Sequence, residues 1–237
     1  MMKSANAEHE KKIAAIQSVS LVKNGMVVGL GSGSTAVHMI RKLGEEVGKG
    51  LSIKGVPSSE KTAQLAKDLG IALISLEKAG KLDINIDGAD EFDPQFRLIK
   101  GGGGALLWEK ILAHNAKLNV IIADSGKKVN ALGKFKLPLE TIPLATPTIR
   151  AQLIEMGLKP VIRKRDGKTF RTDENNCILD VDIFGVKDID RLNRTLIEMP
   201  GVVETGLFLK TTDLIIMGQG DETLFLRNDR EREPSSK

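Results

Sequence analysis

The chain has 237 residues, and its 41% hydrophobic and 28% charged residues suit a globular protein with one large α/β domain, or a main domain that carries a smaller one. No apolar run reaches the roughly 20 residues of a membrane helix, and residues 1–12 lack the apolar core of a secretory signal. The single Cys177 cannot form an intramolecular disulfide. Together these features predict a cytoplasmic protein with no membrane partner. The net charge is only +4, the charges are interleaved, and aromatic residues make up 3%, which argues against a nucleic-acid partner.

Helix and strand patterns alternate over the first 120 residues. Apolar residues recur at helical spacing over 8–23, and the apolar run 26–29 leads through a glycine-rich loop into a second helical pattern that ends at Gly44. The next predicted elements are strand 51–56, helix 59–69, strands 71–75 and 82–87, helix 105–117 and strand 118–123. This alternation predicts an α/β fold whose parallel sheet is covered by helices on both faces.

The pattern changes near Leu132. Residues 137–142, 161–165, 169–171 and 177–183 are strand-like, and residues 148–156 and 189–199 are helix-like, which predicts an inserted small α+β domain. Of the later strand candidates 201–209, 213–217 and 223–226, the last two are expected to return to the main sheet. The predicted domains are 1–131 with 206–227, and 132–205. A charged tail, 228–237, has no apolar anchor and is expected to be disordered.

The first loop that could bind a ligand is 31–35, Gly-Ser-Gly-Ser-Thr, between a predicted strand and a predicted helix. Its glycines permit close approach to the helix amino terminus, where free N–H groups and the helix dipole favour phosphate; a tight turn without a ligand is the alternative. The spacing Gly31-x-Gly33-x-x-Ala36 also fits the dinucleotide fingerprint, but the acidic residue expected about 20 positions later is absent from segment 56–59, Val-Pro-Ser-Ser. No Gly-Lys-Ser/Thr follows, which excludes the Walker motif. A monophosphate is therefore the favoured ligand.

The second loop is 87–91, Asp-Gly-Ala-Asp-Glu, at the carboxyl end of a predicted strand, where open α/β sheets place their sites. Residues 83–88 fit the first half of a calcium-binding EF-hand loop, but Pro94 stands where the final Glu is required. The acidic residues either form a solvated surface or bind hydroxyl groups and transfer protons.

The third loop is 100–104, Lys-Gly-Gly-Gly-Gly, before a predicted helix. Four glycines are conformationally costly, so a fixed structure uses their N–H groups or their lack of side chains, and N–H groups at a helix amino terminus suit an oxyanion. Glu109 lies more than one turn into that predicted helix beside Trp108, where partial burial would raise its pKa towards that of a general base. The alternative for Glu109 is an ordinary exposed helix glutamate.

In order and spacing these three loops, with Glu109-Lys110, resemble ribose-5-phosphate isomerase of the A type. Segments 124–127 (Asp-Ser-Gly-Lys), 132–135 (Leu-Gly-Lys-Phe), 200–203 (Pro-Gly-Val-Val) and 206–208 (Gly-Leu-Phe) are similar to further family segments, so the resemblance covers nearly the whole chain. It implies a Rossmann-like domain with a small ferredoxin-like lid, a homodimer or homotetramer, and interconversion of ribose 5-phosphate and ribulose 5-phosphate in the pentose phosphate pathway without metal or cofactor.

The resemblance also implies residue roles. Glu109 would be the base that carries the proton between C2 and C1, Lys100 would stabilise the enediolate with the glycine N–H groups, Asp87 would assist ring opening, and Asp90 would orient hydroxyls. The substrate-binding residues implied by the motifs are Ser32, Gly33, Ser34, Thr35, Asp87, Gly88, Ala89, Asp90, Lys100, Gly101, Gly102, Gly103 and Lys127. The chain departs from the family with Ser32 in place of a frequent Thr and with Leu107-Trp108 in place of a frequent Thr-Arg.

Two other classes of protein remain open. A non-enzymatic sugar-phosphate sensor of the same fold would need a DNA-binding module, but the roughly 25 residues before the first strand hold one predicted helix rather than a helix-turn-helix. A nicotinamide dehydrogenase is disfavoured by the missing ribose-binding acid.

Overall fold

The structure is a computed structural model that describes residues 2–229, with side chains from Asn6 onward. The predicted tail therefore lies outside the described residues from 230 to 237. None of the described helices is long and apolar enough to cross a membrane.

The described chain forms seven α-helices, one 3-10 helix and fifteen strands. The α-helices are α1 (Met2–Val19), α2 (Ser34–Gly48), α3 (Glu60–Asp68), α4 (Leu76–Ala79), α5 (Leu106–Asn115), α6 (Thr146–Glu155) and α7 (Ile189–Ile197), and the 3-10 helix is Ser125–Lys127. The strands are β1 (Val27–Leu30), β2 (Lys54–Pro57), β3 (Leu82–Gly88), β4 (Glu91–Phe92), β5 (Leu98–Ile99), β6 (Ala116–Asp124), β7 (Leu137–Thr141), β8 (Lys159–Ile162), β9 (Lys164–Arg165), β10 (Lys168–Thr169), β11 (Cys177–Asp182), β12 (Val202–Thr205), β13 (Leu207–Phe208), β14 (Leu214–Gln219) and β15 (Glu222–Arg227).

Contacts divide the chain into two compact units. The first contains the described residues up to Gly88, Ile111–Lys128, and those from Lys210 onward; the second contains Ala89–Lys110 and Val129–Leu209. The domain boundaries predicted from the sequence, 1–131 with 206–227 and 132–205, stay a prediction.

The first unit is built on a six-stranded sheet in the order β15-β14-β6-β3-β1-β2. All neighbouring pairs are parallel except β14 and β15. Apolar clusters join the sheet to α1, α2 and α3 on one side and to α4 and α5 on the other. The predicted α/β fold with helices on both faces is confirmed, as is the return of the last two strands to the main sheet.

The predicted strand 71–75 forms no regular strand. Only Leu73 pairs, in an isolated parallel bridge with Gly55, through hydrogen bonds from Gly55 N to Ala72 O and from Ile74 N to Gly55 O. Extended structure stops there because the Ser75 hydroxyl accepts a hydrogen bond from Lys78 N and caps α4.

The second unit contains a four-stranded antiparallel sheet in the order β12-β7-β11-β8. Together with α6 and α7, these strands follow one another as β-α-β-β-α-β, the ferredoxin-like arrangement expected from the family resemblance. The predicted strand 201–209 divides at Gly206 into β12 and β13, which belong to different sheets. A side chain at Gly206 would lie 2.3 Å from Lys100 O.

A smaller sheet in the second unit was not predicted. Strands β13, β5 and β4 contain two residues each and pair antiparallel. The turn between β4 and β5 is closed by Asp93, whose Oδ1 accepts hydrogen bonds from Gln95 N and Arg97 N, each at 3.0 Å. Strands this short leave no alternating pattern for the sequence to reveal.

Within the first unit, the carboxyl end of β1 lies unusually close to β3. A Cβ atom on Gly31 would lie 2.3 Å from Asp87 Oδ1 and 2.5 Å from Asp87 Cα, while Gly31 N donates to Ile86 O at 3.0 Å. Only a glycine at position 31 leaves room for the Asp87 carboxylate, so the residue that positions this acid is Gly31.

We expect Gly31→Ala to lower the free energy of unfolding by about 3 kcal/mol, because the new methyl group overlaps backbone that cannot move cheaply. Gly48→Ala is the matched control: a Cβ there meets nothing within 4 Å, and the free energy should rise by up to about 1 kcal/mol. Urea denaturation of both variants measures the effect. A free energy of unfolding for Gly31→Ala equal to that of the wild type would contradict the close approach of β1 and β3.

A buried acid lies in β7 of the second unit. The Glu140 carboxyl is 1% exposed, its Oε1 accepts hydrogen bonds from Thr172 and Asn176, and its Oε2 has no hydrogen-bond partner among the described residues. Burial disfavours the charged carboxylate and raises the pKa of Glu140, although the two hydrogen bonds oppose this. The folded protein therefore holds this proton more tightly than the unfolded chain does.

Because the native pKa is raised, Glu140 costs stability as the pH rises above the unfolded value near 4.5. We expect the free energy of unfolding of Glu140→Gln to increase relative to that of the wild type between pH 4.5 and pH 8, because the variant has no carboxylate to ionise. Denaturant titrations across this range provide the measurement, with the exposed Glu155→Gln as control. A difference that stays constant with pH would show that the pKa of Glu140 is not raised in the folded protein.

Candidate active site

The loop that follows β1 opens directly into α2. Gly33 precedes the first turn with φ of 90°, in the left-handed region that favours glycine, and it offers no capping side chain. The first N–H groups of this 15-residue helix are therefore not capped from position 33. Gly33 and Ser34 are exposed and Thr35 is buried, so the loop carries the backbone and hydroxyl groups expected of an anion site.

The side chain of Ser32 is turned toward the loop after β2. Ser32 Oγ lies 2.7 Å from Ser58 Oγ and 2.9 Å from Ser59 Oγ. Ser59 Oγ donates to Thr62 Oγ1 at 3.0 Å, and Thr62 Oγ1 donates to Gly31 O at 3.0 Å. These contacts form a hydroxyl chain from Ser58 through Ser32, Ser59 and Thr62 to the glycine loop, and the Ser32 proton is used inside it.

Sequence reasoning missed Ser58, Ser59 and Thr62 as members of this region. Their only signal was the Val-Pro-Ser-Ser segment, which stood where a dinucleotide-binding protein needs an acid. The segment fixes the glycine loop by hydroxyl contacts and supplies no carboxylate for a ribose.

The acidic loop is not a solvated surface. Asp87 is 1% exposed, and its Oδ1 accepts hydrogen bonds from Ser32 N at 3.0 Å and Gly88 N at 2.7 Å. Glu91, in the second unit, is 3% exposed and accepts hydrogen bonds from Gly133 N and Phe135 N. The first acid is thus tied to the glycine loop of its own unit, and the last to a loop before β7.

Two further residues implied by the resemblance belong to the first unit. Gly88 ends β3, and a Cβ there would come within 4.0 Å of Thr35 Cβ. Lys127 is half-buried in the 3-10 helix that follows β6. The carboxyl ends of the parallel neighbours β1, β3 and β6 therefore carry the loop 31–35, Asp87 and Lys127, respectively.

The small sheet of the second unit positions Asp90 and Lys100. Asp90 precedes β4 and its N–H donates to Ile99 O at 2.9 Å, while Lys100 follows β5 and its N–H donates to Gly206 O at 2.9 Å. Because β4 and β5 run antiparallel, these two residues lie at the same end of the hairpin. Ala89, half-buried, leads into this sheet.

The glycine run forms a tight turn. Gly104 N donates to Gly101 O at 3.0 Å, and Gly102 N donates to Asp90 Oδ2 at 2.8 Å. A Cβ at Gly101 would lie 2.9 Å from Leu106 Cβ, and a Cβ at Gly104 would lie 2.4 Å from the Phe170 ring. Two of the four glycine N–H groups are therefore engaged within the protein, and the exposed Gly103 presents a third.

Glu109 and Lys100 form a buried pair. Lys100 Nζ lies 3.4 Å from Glu109 Oε2, with the side chains 4% and 6% exposed. Lys100 Nζ also lies 5.5 Å from the centre of the Phe208 ring. The alternative of an ordinary exposed helix glutamate is wrong for Glu109, which lies in the first turn of α5 beside the glycine turn. A carboxylate and an ammonium group are thus held together out of water.

The neighbours of Glu109 contact other parts of the second unit. Trp108 Nε1 donates to Glu174 at 2.9 Å. Lys110 Nζ donates to Glu204 Oε1 at 2.7 Å and to Thr205 O at 2.6 Å. Burial lowers the pKa of Lys110, and the charge of Glu204 opposes that change.

The residues that fit part of a calcium loop serve other roles. Asp83 accepts hydrogen bonds from Val27 N and Lys117 Nζ, and these contacts lower its pKa. Within the range that the structure describes, no group of three or more His, Cys, Asp or Glu side chains could hold a metal ion.

Comparison with known proteins points to one family. The model of the ribose 5-phosphate isomerase A family, also called phosphoriboisomerase A, matches residues 54–222. The ribose-5-phosphate isomerase A of Roseobacter denitrificans is 46% identical over 226 residues, which cover 92% of this chain and 86% of that protein. The corresponding protein of Parvibaculum lavamentivorans is 45% identical over 220 residues, which cover 90% and 95%.

Solved structures agree. Ribose 5-phosphate isomerase A of Methanocaldococcus jannaschii matches with a TM-score of 0.87 at 40% identity, covering 92% of this chain and 97% of that one. A D-ribose-5-phosphate isomerase in complex with phospho-erythronic acid matches with a TM-score of 0.90 at 36% identity, covering 94% and 99%. With sequence and structure matched along nearly its whole length, this chain belongs to the ribose 5-phosphate isomerase A family.

Proposed function

We propose that this protein is an aldose-ketose isomerase that interconverts D-ribose 5-phosphate and D-ribulose 5-phosphate through an enediolate. The observation that carries this proposal is the buried pair of Glu109 and Lys100 beside the glycine turn. Membership of the family supports the choice of substrate.

The reaction needs a base, a group that stabilises negative charge, and a proton returned to the neighbouring carbon. Glu109 takes the proton from C2, and the electron pair moves to the carbonyl oxygen at C1 to give the enediolate. Glu109 then delivers the proton to C1, while the C2 hydroxyl passes its own proton to the oxyanion at C1, so that the C2 carbonyl and the C1 hydroxyl form. A single carboxylate serves both steps because C1 and C2 are adjacent.

Negative charge develops on the substrate oxygens while the proton is on Glu109. The ammonium group of Lys100, 3.4 Å from the Glu109 carboxylate, supplies a positive charge, and the exposed Gly103 supplies an N–H group. Asp90 orients hydroxyl groups near C1 and C2, and Asp87 assists ring opening at the sugar oxygens.

The phosphate binds at the amino terminus of α2, to residues 33–35, with Lys127 adding a positive charge. Ser32 acts by holding the loop, because its N–H donates to Asp87 and its hydroxyl to Ser59. Binding energy from this remote group fixes the sugar for proton transfer. The solved relative that binds phospho-erythronic acid, a phosphorylated sugar acid, supports a ligand of this class.

Further parts of the proposal follow from the family resemblance alone. They are a place in the non-oxidative branch of the pentose phosphate pathway and assembly as a homodimer or homotetramer. A cytoplasmic location is proposed from the sequence features given above.

The direct test incubates the purified protein with ribose 5-phosphate and EDTA in deuterated buffer and follows the sugar by NMR. Ribulose 5-phosphate should form at about 1 s⁻¹ or faster, with deuterium entering at C1 or C2. Binding without conversion or exchange would favour the sensor, and a fluorescence response to NADH would favour the dehydrogenase.

We expect Glu109→Gln to lower kcat by about 10² to 10⁴, because the amide keeps the shape of the side chain but cannot accept the proton. The exposed Glu155→Gln in the same unit should leave kcat unchanged. Steady-state kinetics measure both variants, and a loss of only a few-fold would remove Glu109 from the role of base.

We expect Thr35→Val to raise KM for ribose 5-phosphate by about 10- to 100-fold, since a hydrogen bond to a charged group contributes roughly 1.5–3 kcal/mol. KM for unphosphorylated ribose should hardly change, and Thr35→Ser, which keeps the hydroxyl, should stay close to the wild type. Equal effects on both sugars would refute the phosphate assignment.

A further inference from the structure

One arginine outside the loops named so far contacts the glycine turn directly. Arg163 lies between β8 and β9 in the second unit, and its side chain is 12% exposed. Its Nη1 donates to Gly101 O at 2.8 Å and to Gly102 O at 3.1 Å. Its Nε donates to Asp180 Oδ2 at 3.0 Å, and its Nη2 donates to Asp180 Oδ1. The guanidinium group thus spans a carboxylate on one side and two successive carbonyl groups on the other.

These contacts fix the orientation of two peptide groups. The carbonyl of Gly101 and the N–H of Gly102 belong to the same peptide plane, and they point in opposite directions because the bond is trans. Arg163 binds the carbonyl, and Asp90 Oδ2 accepts from the N–H at 2.8 Å. This peptide plane is therefore held from both ends.

The next peptide plane is held from one end only. Its carbonyl, on Gly102, faces Arg163, so its N–H, on Gly103, points away from the guanidinium group. Gly103 is exposed and a Cβ there would meet nothing within 4 Å. The contact to Arg163 thus aims the Gly103 N–H outward from the turn, where it can donate a hydrogen bond to an anion.

The turn needs such support because four glycines have the greatest backbone freedom of any sequence. The aromatic ring that packs on Gly104 is part of the same assembly. Phe170 N donates to Arg163 O at 2.9 Å, and the guanidinium of Arg163 lies 5.9 Å from the centre of the Phe170 ring. Arg163 therefore joins the carboxylate of Asp180, the ring of Phe170 and the glycine turn.

We infer that Arg163 is a positioning residue for the isomerase reaction: anchored on Asp180, it orients the peptide groups of Gly101 and Gly102 so that the Gly103 N–H meets the developing enediolate oxygen. The inference rests on the proposed function. Arg163 itself touches no substrate. Its planar fork of donors is required, because a lysine at this position has a compact ammonium group that cannot bind the carboxylate and both carbonyls in this geometry.

The test compares Arg163→Lys with the wild type in the NMR isomerase assay. We expect kcat to fall by about 10- to 100-fold, because Arg163→Lys misaligns the Gly103 N–H without removing it, and complete loss of an oxyanion donor costs about 10²- to 10³-fold. KM for ribose 5-phosphate should change by less than about threefold, because the phosphate loop belongs to the other unit. Hydrogen exchange of the peptide containing Gly101–Gly104, followed by mass spectrometry, should become at least about tenfold faster.

Two further variants make the outcome decisive. Lys164→Gln removes an exposed positive charge next to Arg163 and should leave kcat and exchange unchanged. Asp180→Asn keeps the arginine but weakens its anchor, and should lower kcat by about three- to tenfold with KM unchanged; it replaces Arg163→Lys as the test if that variant does not fold. The double variant, with Arg163→Lys and Asp180→Asn, should show a smaller fold loss of kcat than the product of the two single-variant losses, because both residues belong to one contact network.

The outcomes separate this inference from the proposed function. A wild type that does not isomerise ribose 5-phosphate refutes the proposed function, and this inference with it. An active wild type with a folded Arg163→Lys variant of unchanged kcat overturns the role of Arg163 alone. A loss of kcat without faster exchange at 101–104 also overturns it, because the effect would then not pass through the turn.

Discussion

The first unit depends on the burial of one carboxylate, that of Asp87. The space for it exists because Gly31 has no side chain, and its charge is met by the N–H groups of Ser32 and Gly88. A buried carboxylate without such partners would cost several kcal/mol, so the loop after β1 must keep its backbone turned toward Asp87. The hydroxyl chain from Ser58 to Thr62 then fixes the other side of the same loop. The loop before α2 is thus held by hydrogen bonds on both sides, and such preorganisation would limit the entropy lost when the proposed phosphate binds.

In the second unit, two acidic side chains likewise accept hydrogen bonds from backbone N–H groups. Asp90 accepts the N–H of Gly102, and Glu91 accepts those of Gly133 and Phe135. The acidic loop 87–91 is therefore a series of anchors for glycine-containing turns, and each acid satisfies backbone donors that no helix or strand could pair. Arg163 complements this by binding carbonyls where the acids bind N–H groups. Together, Asp90 and Arg163 bind both the N–H and the carbonyl groups of the glycine turn. Four successive glycines have too much backbone freedom to fix this turn by themselves.

The alternation of strands and helices, the three glycine and acidic loops and Glu109 could be predicted because each leaves a local pattern: period, turn residues or motif spacing. The ferredoxin-like arrangement followed from the resemblance. Strands β4 and β5 could not be predicted, because two residues carry no period. Ser58, Thr62 and Arg163 could not be identified either, since they act on residues 26 to 62 positions away in the chain, and nothing in the linear sequence marks such a contact. In the sequence, these three residues cannot be told apart from ordinary polar surface residues. Only the fold shows that their hydroxyl and guanidinium groups contact a glycine carbonyl or a serine.

The buried pair of Lys100 and Glu109 contributes little to the free energy of unfolding. Removing two charges from water costs several kcal/mol each, and a buried pair recovers this only with excellent geometry; apolar side chains of similar size are often equal or better. At 3.4 Å with both side chains nearly inaccessible, this pair is a costly element within the second unit, and the glycine turn beside it is another. The proposed isomerase reaction would account for both. A base that must carry a proton between two carbons works best where water does not compete, and a positive charge close to it stabilises the enediolate most strongly where the dielectric constant is low. In the proposed mechanism, the low stability of this buried pair is therefore the physical condition for the reaction, and Asp90 and Arg163 hold the glycine turn beside it.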